Sequence, residues 1–171
     1  MSLPTCSDFA NSARNVDWCR EIEKYTGMKL AVCSTPEPRA ALTDLWQASF
    51  YLEDAIILPY RIMYKIENMS LERAISVVKS YIDDAIAKIY YAWMYLCIST
   101  GEGQPLSNSY YAGKVIADAK NAQEVLGAIL QKMHHEKFEK IEELNNFVAT
   151  YIYGFQAVLN ALSHEIQSLF Y

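Results

Sequence analysis

The stretch that most constrains the fold is residues 70–100, SLERAISVVKSYIDDAIAKIYYAWMYLCIST. Its apolar residues recur every three or four positions, the spacing that keeps side chains on one side of an α-helix. The predicted core face consists of Ile75, Val78, Ile82, Ala85, Ile86, Ile89, Trp93 and Leu96. The spacing therefore predicts one long central helix near residues 70–100.

The opposite face of this helix changes character along its length. Its first half is charged, with Asp83, Asp84 and Lys88, whereas its second half is apolar and aromatic. The residues of that second half are Tyr91, Met94, Tyr95 and Ile98. A helix that is apolar all round must be covered all round. These four residues are therefore predicted to form an interface with another protein, unless helices of the same chain cover them.

Other segments with helical spacing surround the central one. A helix is predicted over residues 8–26, ending at Gly27, because glycine is favoured in the left-handed position after a helix. A second helix begins after Pro36 and passes Pro59 with a kink or break but little change of direction. Two more follow an interhelical loop at residues 101–106, and residues 28–33 form an apolar connector. The predicted fold is all-α: a mostly antiparallel bundle of four to five helices.

The predicted bundle is a single domain over residues 1–171, with a loose N-terminus at residues 1–7. Its net charge of −5 and its scattered basic residues make nucleic acid an unfavourable partner. No stretch is long and apolar enough for a membrane span, and no signal peptide is recognisable. These features predict an intracellular, cytoplasmic protein, with a viral particle as another setting.

The four cysteines do not have the spacing of a metal site. Cys6, Cys19, Cys33 and Cys97 are far apart in the sequence, and an intracellular chain keeps its thiols reduced. Free thiols are therefore expected, with Cys97 buried as a small side chain on the central helix.

The titratable clusters resemble solvated surfaces more than catalytic sites. The densest cluster consists of His134, His135, Glu136, Glu139, Glu142 and Glu143. Adjacent helical residues point about 100° apart, so His134 and His135 cannot easily share one ion. Asp83 and Asp84, and likewise His164 and Glu165, have the spacing of polar helix faces. No catalytic residue, metal ligand or cofactor site is predicted, which disfavours an enzyme.

The aromatic residues give the strongest hint of function, since the chain contains 13 tyrosines. Tyrosine is favoured at interfaces, where its ring is buried and its hydroxyl stays hydrated. The predicted function is a non-catalytic helical subunit of a larger assembly: a homo-oligomer, an accessory subunit or a viral structural protein. The alternative is an enzyme or carrier that binds a small apolar ligand in a pocket between helices. A third interpretation is that the rings only fill the core.

Overall fold

The computed structural model describes residues 5–11, 24–25, 27, 39–99 and 110–170. Helices make up nearly all of this part of the chain, and it contains no strand. In chain order they are α1 (Cys6–Asn11), α2 (Arg39–Met63), α3 (Leu71–Ser99), α4 (Tyr110–His135), α5 (Ile141–Phe147) and α6 (Tyr153–Phe170). A π-helical turn, Val148–Ile152, joins α5 to α6 without a break. The predicted all-α bundle with a long central helix is confirmed.

Helix α3 is the centre of the bundle. It packs against α1, α2 and α4, and its interface with α2 is the largest between any two described elements. Val78, Ile82, Ala85 and Ile89 are fully buried on its predicted core face. Helix α2 also packs against α5 and α6, and α4 packs against α6. The hydrophobic stripe read from the sequence therefore does face the core.

The turn between α2 and α3 is built from local hydrogen bonds. Helix α2 runs through Pro59 and ends at Met63. Lys65 has a φ of 59°, and the N–H groups of Lys65 and Ile66 donate to the carbonyls of Ile62 and Arg61. This left-handed motif closes the helix. On the other side of the turn the Ser70 hydroxyl accepts the Arg73 N–H at 3.2 Å and caps α3.

The N-terminal segment is held in place. The Thr5 N–H donates to Asp8 at 2.9 Å and the Asp8 N–H donates to the Thr5 hydroxyl at 3.3 Å, a reciprocal cap that starts α1 at Cys6. A disulfide joins Cys6 to Cys97 near the end of α3. The predictions of a loose segment through residue 7 and of free thiols at these two positions are wrong.

Several other predictions concern the remaining residues. Gly27 has a φ of 70°, which confirms its left-handed conformation after the predicted first helix. The centre of that helix, the connector at residues 28–33 and the loop at residues 101–106 lie outside the described residues. The single domain over residues 1–171 stays a prediction.

The π-helical turn displaces one predicted core residue of the last helix. The sequence pattern predicts that Tyr151 faces the core, but the buried residue is instead Ile152. A π turn contains more residues than an α turn, so the position beneath Val148 falls one residue later. Tyr151 lies at the edge of the core.

Beyond this turn the predicted register is kept. Phe155 and Leu162 are buried as the pattern predicts, and only the position between them differs, where Leu159 is buried and Val158 exposed.

Removal of the disulfide should destabilise the fold strongly. The bond closes a loop of 91 residues, for which chain entropy alone gives about 4–5 kcal/mol. We expect Cys6→Ser to lower the free energy of unfolding by an amount of this order in urea titrations. Wild type in a reductant is the control, and it should unfold near the variant. Equal stability of the variant and the oxidised wild type would show that the bond does not stabilise the fold.

Candidate functional site

The four residues predicted to form an interface lie inside the chain. Tyr91, Met94, Tyr95 and Ile98 are each at most 7% exposed. The uninterrupted stretch from Tyr91 to Ser99 is buried, so this half of α3 is covered all round. It therefore offers no accessible surface to a partner in the folded chain, and the predicted site must be corrected to core.

The cover over this half of α3 comes in part from α1 and α4. The Phe9 ring lies edge-on to Trp93, with 5.8 Å between ring centroids, and 6.4 Å from the Tyr90 ring. The Lys120 ammonium from α4 lies 4.6 Å from the centroid of a Trp93 ring, within the range of a cation–π contact. The sequence could not reveal this cover because α1 is short and carries only one large apolar residue, Phe9.

A different helix exposes several large apolar side chains on one side. Helix α2 and the residue that follows it present five large side chains to solvent, each between 46% and 63% exposed. We define these residues as the outer face of α2: Trp46, Phe50, Ile57, Tyr60 and Tyr64. At about 100° per residue they fall within roughly 40° of one direction. Buried Ala48, Leu52 and Ala55 lie on the opposite side of the helix.

Local contacts order part of the outer face. The Tyr60 and Tyr64 ring centroids are 4.6 Å apart, and the Tyr64 N–H donates to the Tyr60 carbonyl at 3.1 Å. This bond carries the helical direction one residue beyond α2, so Tyr64 stays in line with the other rings. A preorganised aromatic pair loses little conformational freedom on binding. Tyr60 and Tyr64 therefore form an ordered aromatic pair at one end of the outer face.

The sequence contains the helical spacing of this face but does not show that it is exposed. The apolar spacing of Leu42, Leu45, Trp46 and Leu52 predicts Trp46 in the core, yet it is half exposed because Leu45 and Ala48 occupy the buried side. Tyr60 and Tyr64 are four residues apart, the spacing of one helix face. To group them with Trp46 one must know which of two apolar sides of the helix the bundle buries.

A buried ion pair links α2 to α3. The Lys88 ammonium lies 3.8 Å from Oδ1 of Asp44, and Asp44 is only 7% exposed. Within the described part of the chain, Oδ2 of Asp44 has no hydrogen-bond partner. Burial raises the pKa of Asp44 from 3.8 to about 7, and Lys88 only partly offsets that rise. Lys88 thus belongs to a helix contact, where a solvated position was predicted.

The other titratable clusters are more exposed. All six residues of the His134–Glu143 cluster face solvent, as does His164. Glu165 packs beside α4, where Lys114 lies 3.7 Å away. Burial and the neighbouring Asp118 carboxyl raise the pKa of Glu165, while Lys114 lowers it. Among the described residues, no group of three His, Cys, Asp or Glu side chains could hold a metal ion.

A depression of about 390 Å³ lies at the turn between α2 and α3. Ile62, Lys65, Glu67, Asn68 and Met69 line it, and the three polar residues among them are exposed. Its mixed, solvated lining does not resemble the enclosed apolar pocket of the alternative function. In the described part of the chain, no helix is long and apolar enough to cross a membrane.

The buried carboxyl should make stability depend on pH. Because the folded chain binds the Asp44 proton more tightly than the unfolded chain, this group destabilises the fold progressively as pH rises from 3.8 to about 7. Each pKa unit corresponds to about 1.4 kcal/mol, so the total is on the order of a few kcal/mol. We expect Asp44→Asn to gain stability relative to wild type between about pH 5 and about pH 8 in urea titrations.

The matched control for this prediction is Asp84→Asn on the exposed side of α3. It should leave the pH profile of the wild type unchanged. Parallel profiles for wild type and Asp44→Asn would contradict the assignment of a shifted carboxyl to Asp44.

The described part of the chain thus has three features of interest: the second half of α3, which is buried all round, the buried Asp44–Lys88 ion pair, and the exposed apolar face on α2. Of these three features, only the outer face of α2 is accessible to another molecule. Comparisons with protein-family models, curated proteins and solved structures found no match to this chain.

Proposed function

We propose that the protein is a non-catalytic helical subunit of a larger assembly and that it binds its partner through the outer face of α2. The observation that carries the proposal is the alignment of five large, half-exposed apolar side chains along one helix. Single exposed apolar residues are ordinary on a protein surface, but several large ones grouped on one side of a helix are characteristic of a binding site. This face replaces the Tyr- and Met-rich interface predicted on α3, whose residues are core.

The residue composition of the outer face favours a protein partner over a small-molecule ligand. Trp46, Tyr60 and Tyr64 are of the residue types that dominate binding energy at protein interfaces. The face is a convex helix surface without a concave pocket, so it suits a groove or another helix more than a compact ligand. The exposed carboxylate of Glu53 lies on the same side of the helix, between Phe50 and Ile57, and exposed Arg61 lies at the edge of the face. Such charges can fix the orientation of the partner.

The Cys6–Cys97 disulfide bears on where such an assembly would form. Cytosolic thiols are kept reduced, whereas secreted, lumenal and particle-surface proteins retain disulfides. The bond therefore favours an oxidising setting, such as an extracellular assembly or an exported viral particle, over the cytoplasm expected from the sequence.

Site-specific photo-crosslinking tests the proposed binding face. A photoreactive phenylalanine analogue at Phe50 should give a discrete crosslinked product in cells that make the protein, because Phe50 lies within the face. The same analogue at Tyr153, which is similarly exposed on α6, is the matched control and should not give that product. Absence of a product at Phe50, or an identical product from Tyr153, would refute the assignment.

A further inference from the structure

The turn between α2 and α3 contains Asn68, Met69 and Ser70, the acceptor pattern for N-linked glycosylation. The pattern occurs once in the 171 residues of the sequence. Because it is short, it also arises by chance, and its meaning depends on where the fold places it. A working acceptor lies on a surface loop of a protein that leaves the cytosol. Both conditions can be examined in this chain.

The fold places the pattern in exposed, irregular backbone. Helix α2 ends at Met63 and α3 begins at Leu71, so residues 68–70 belong to neither helix. Asn68 and Ser70 are both exposed. Within the described part of the chain, no hydrogen bond or ion pair engages the Asn68 side chain. The amide nitrogen of Asn68 is therefore open to a modifying enzyme.

The Cys6–Cys97 disulfide supplies a second, independent observation. Disulfides persist in secreted, lumenal and particle-surface proteins, and N-linked glycans are carried by proteins of the same secreted class. A reduced cytosolic chain would leave the Asn68 acceptor unused. A chain that keeps this disulfide has reached a setting in which an exposed acceptor can be modified.

We propose that Asn68 is a glycosylation site, which carries an oligosaccharide on its side-chain nitrogen. Transfer forms a bond between Nδ2 of Asn68 and the anomeric carbon of the first sugar, and it breaks the bond from that carbon to the diphosphate of a lipid-linked donor. The lipid diphosphate leaves with the bonding electron pair, and a base of the transferase takes one proton from the amide. Nothing is oxidised or reduced.

The depression of about 390 Å³ at this turn suits the first sugar. Asn68 itself lines it, together with half-buried Ile62 and Met69 and exposed Lys65 and Glu67. A pyranose ring has apolar C–H faces and polar hydroxyl edges, so it can contact a lining of both kinds. A mixed lining that is unsuitable for an apolar ligand is therefore appropriate for a sugar attached beside it.

Ser70 has two separable properties. Its hydroxyl caps α3 by accepting the Arg73 N–H at 3.2 Å, and it is also the hydroxyl residue that the acceptor pattern requires. Threonine at position 70 keeps both the cap and the pattern. Aspartate keeps the cap but destroys the pattern. Comparison of these two variants therefore separates modification from a purely structural use of the turn.

Mass spectrometry of the full chain, purified from cells that make it, tests the site. The wild type should exceed 19.5 kDa, and an amidase that cleaves the glycan from asparagine should remove the excess and leave aspartate at position 68. Asn68→Gln and Ser70→Asp should lack the added mass, whereas Ser70→Thr should keep it. Asn160→Gln, at an exposed asparagine on α6 outside any such pattern, is the control and should also keep it.

The site depends on the oxidising setting proposed above and is independent of the outer face of α2. The same spectra show whether Cys6 and Cys97 are bonded. If they are bonded and Asn68 is unmodified, the glycosylation site is refuted and the oxidising setting stands. If both thiols are free and Asn68 is unmodified, both are refuted. Added mass that persists in Asn68→Gln or in Ser70→Asp would also overturn the assignment.

Discussion

The bundle depends on covering the second half of α3. From Tyr91 to Ser99 this helix has no exposed residue, and a helix of that kind is stable in water only when neighbours enclose it. Helix α2 supplies the largest contact, α4 a second, and α1 a third that is fixed by the Cys6–Cys97 disulfide. A six-residue helix is too short to hold its position by its own stability. The covalent bond and the ring of Phe9 against Trp93 fix it there instead.

Helical spacing was enough to predict the architecture but not the pairing of its elements. The core stripe of α3 and the Ser70 cap follow from local rules that operate within one helix. The Cys6–Cys97 bond and the Asp44–Lys88 pair join residues that are distant in sequence, and no local pattern identifies which partners meet. The same limit explains why the interface predicted on α3 is wrong. Its residues have no evident partner in the sequence because part of their covering comes from α1, which is short and distant along the chain.

The errors in side-chain direction have a different physical origin. A uniform α-helix predicts Tyr151 in the core, whereas the π turn at Val148–Ile152 places Ile152 there instead. Trp46 was assigned to the core because α2 is apolar on two sides. Hydrophobicity alone does not decide which of two apolar sides is buried. Residue size decides it here, because Ala41, Ala48 and Ala55 let α2 approach its neighbours closely on the buried side.

That preference for close approach explains why α2 carries the exposed rings. A helix that packs through alanines gains tight contacts on the inner side, while its largest residues are left on the outer one. The five residues of the outer face keep between 46% and 63% of their surface exposed, so packing within the chain buries them only in part. Folding of one chain thus accounts for the inner side of α2 more fully than for the outer side. A partner that covered the outer face would remove the remaining apolar surface from water, which is the energetic basis of the binding function proposed for it.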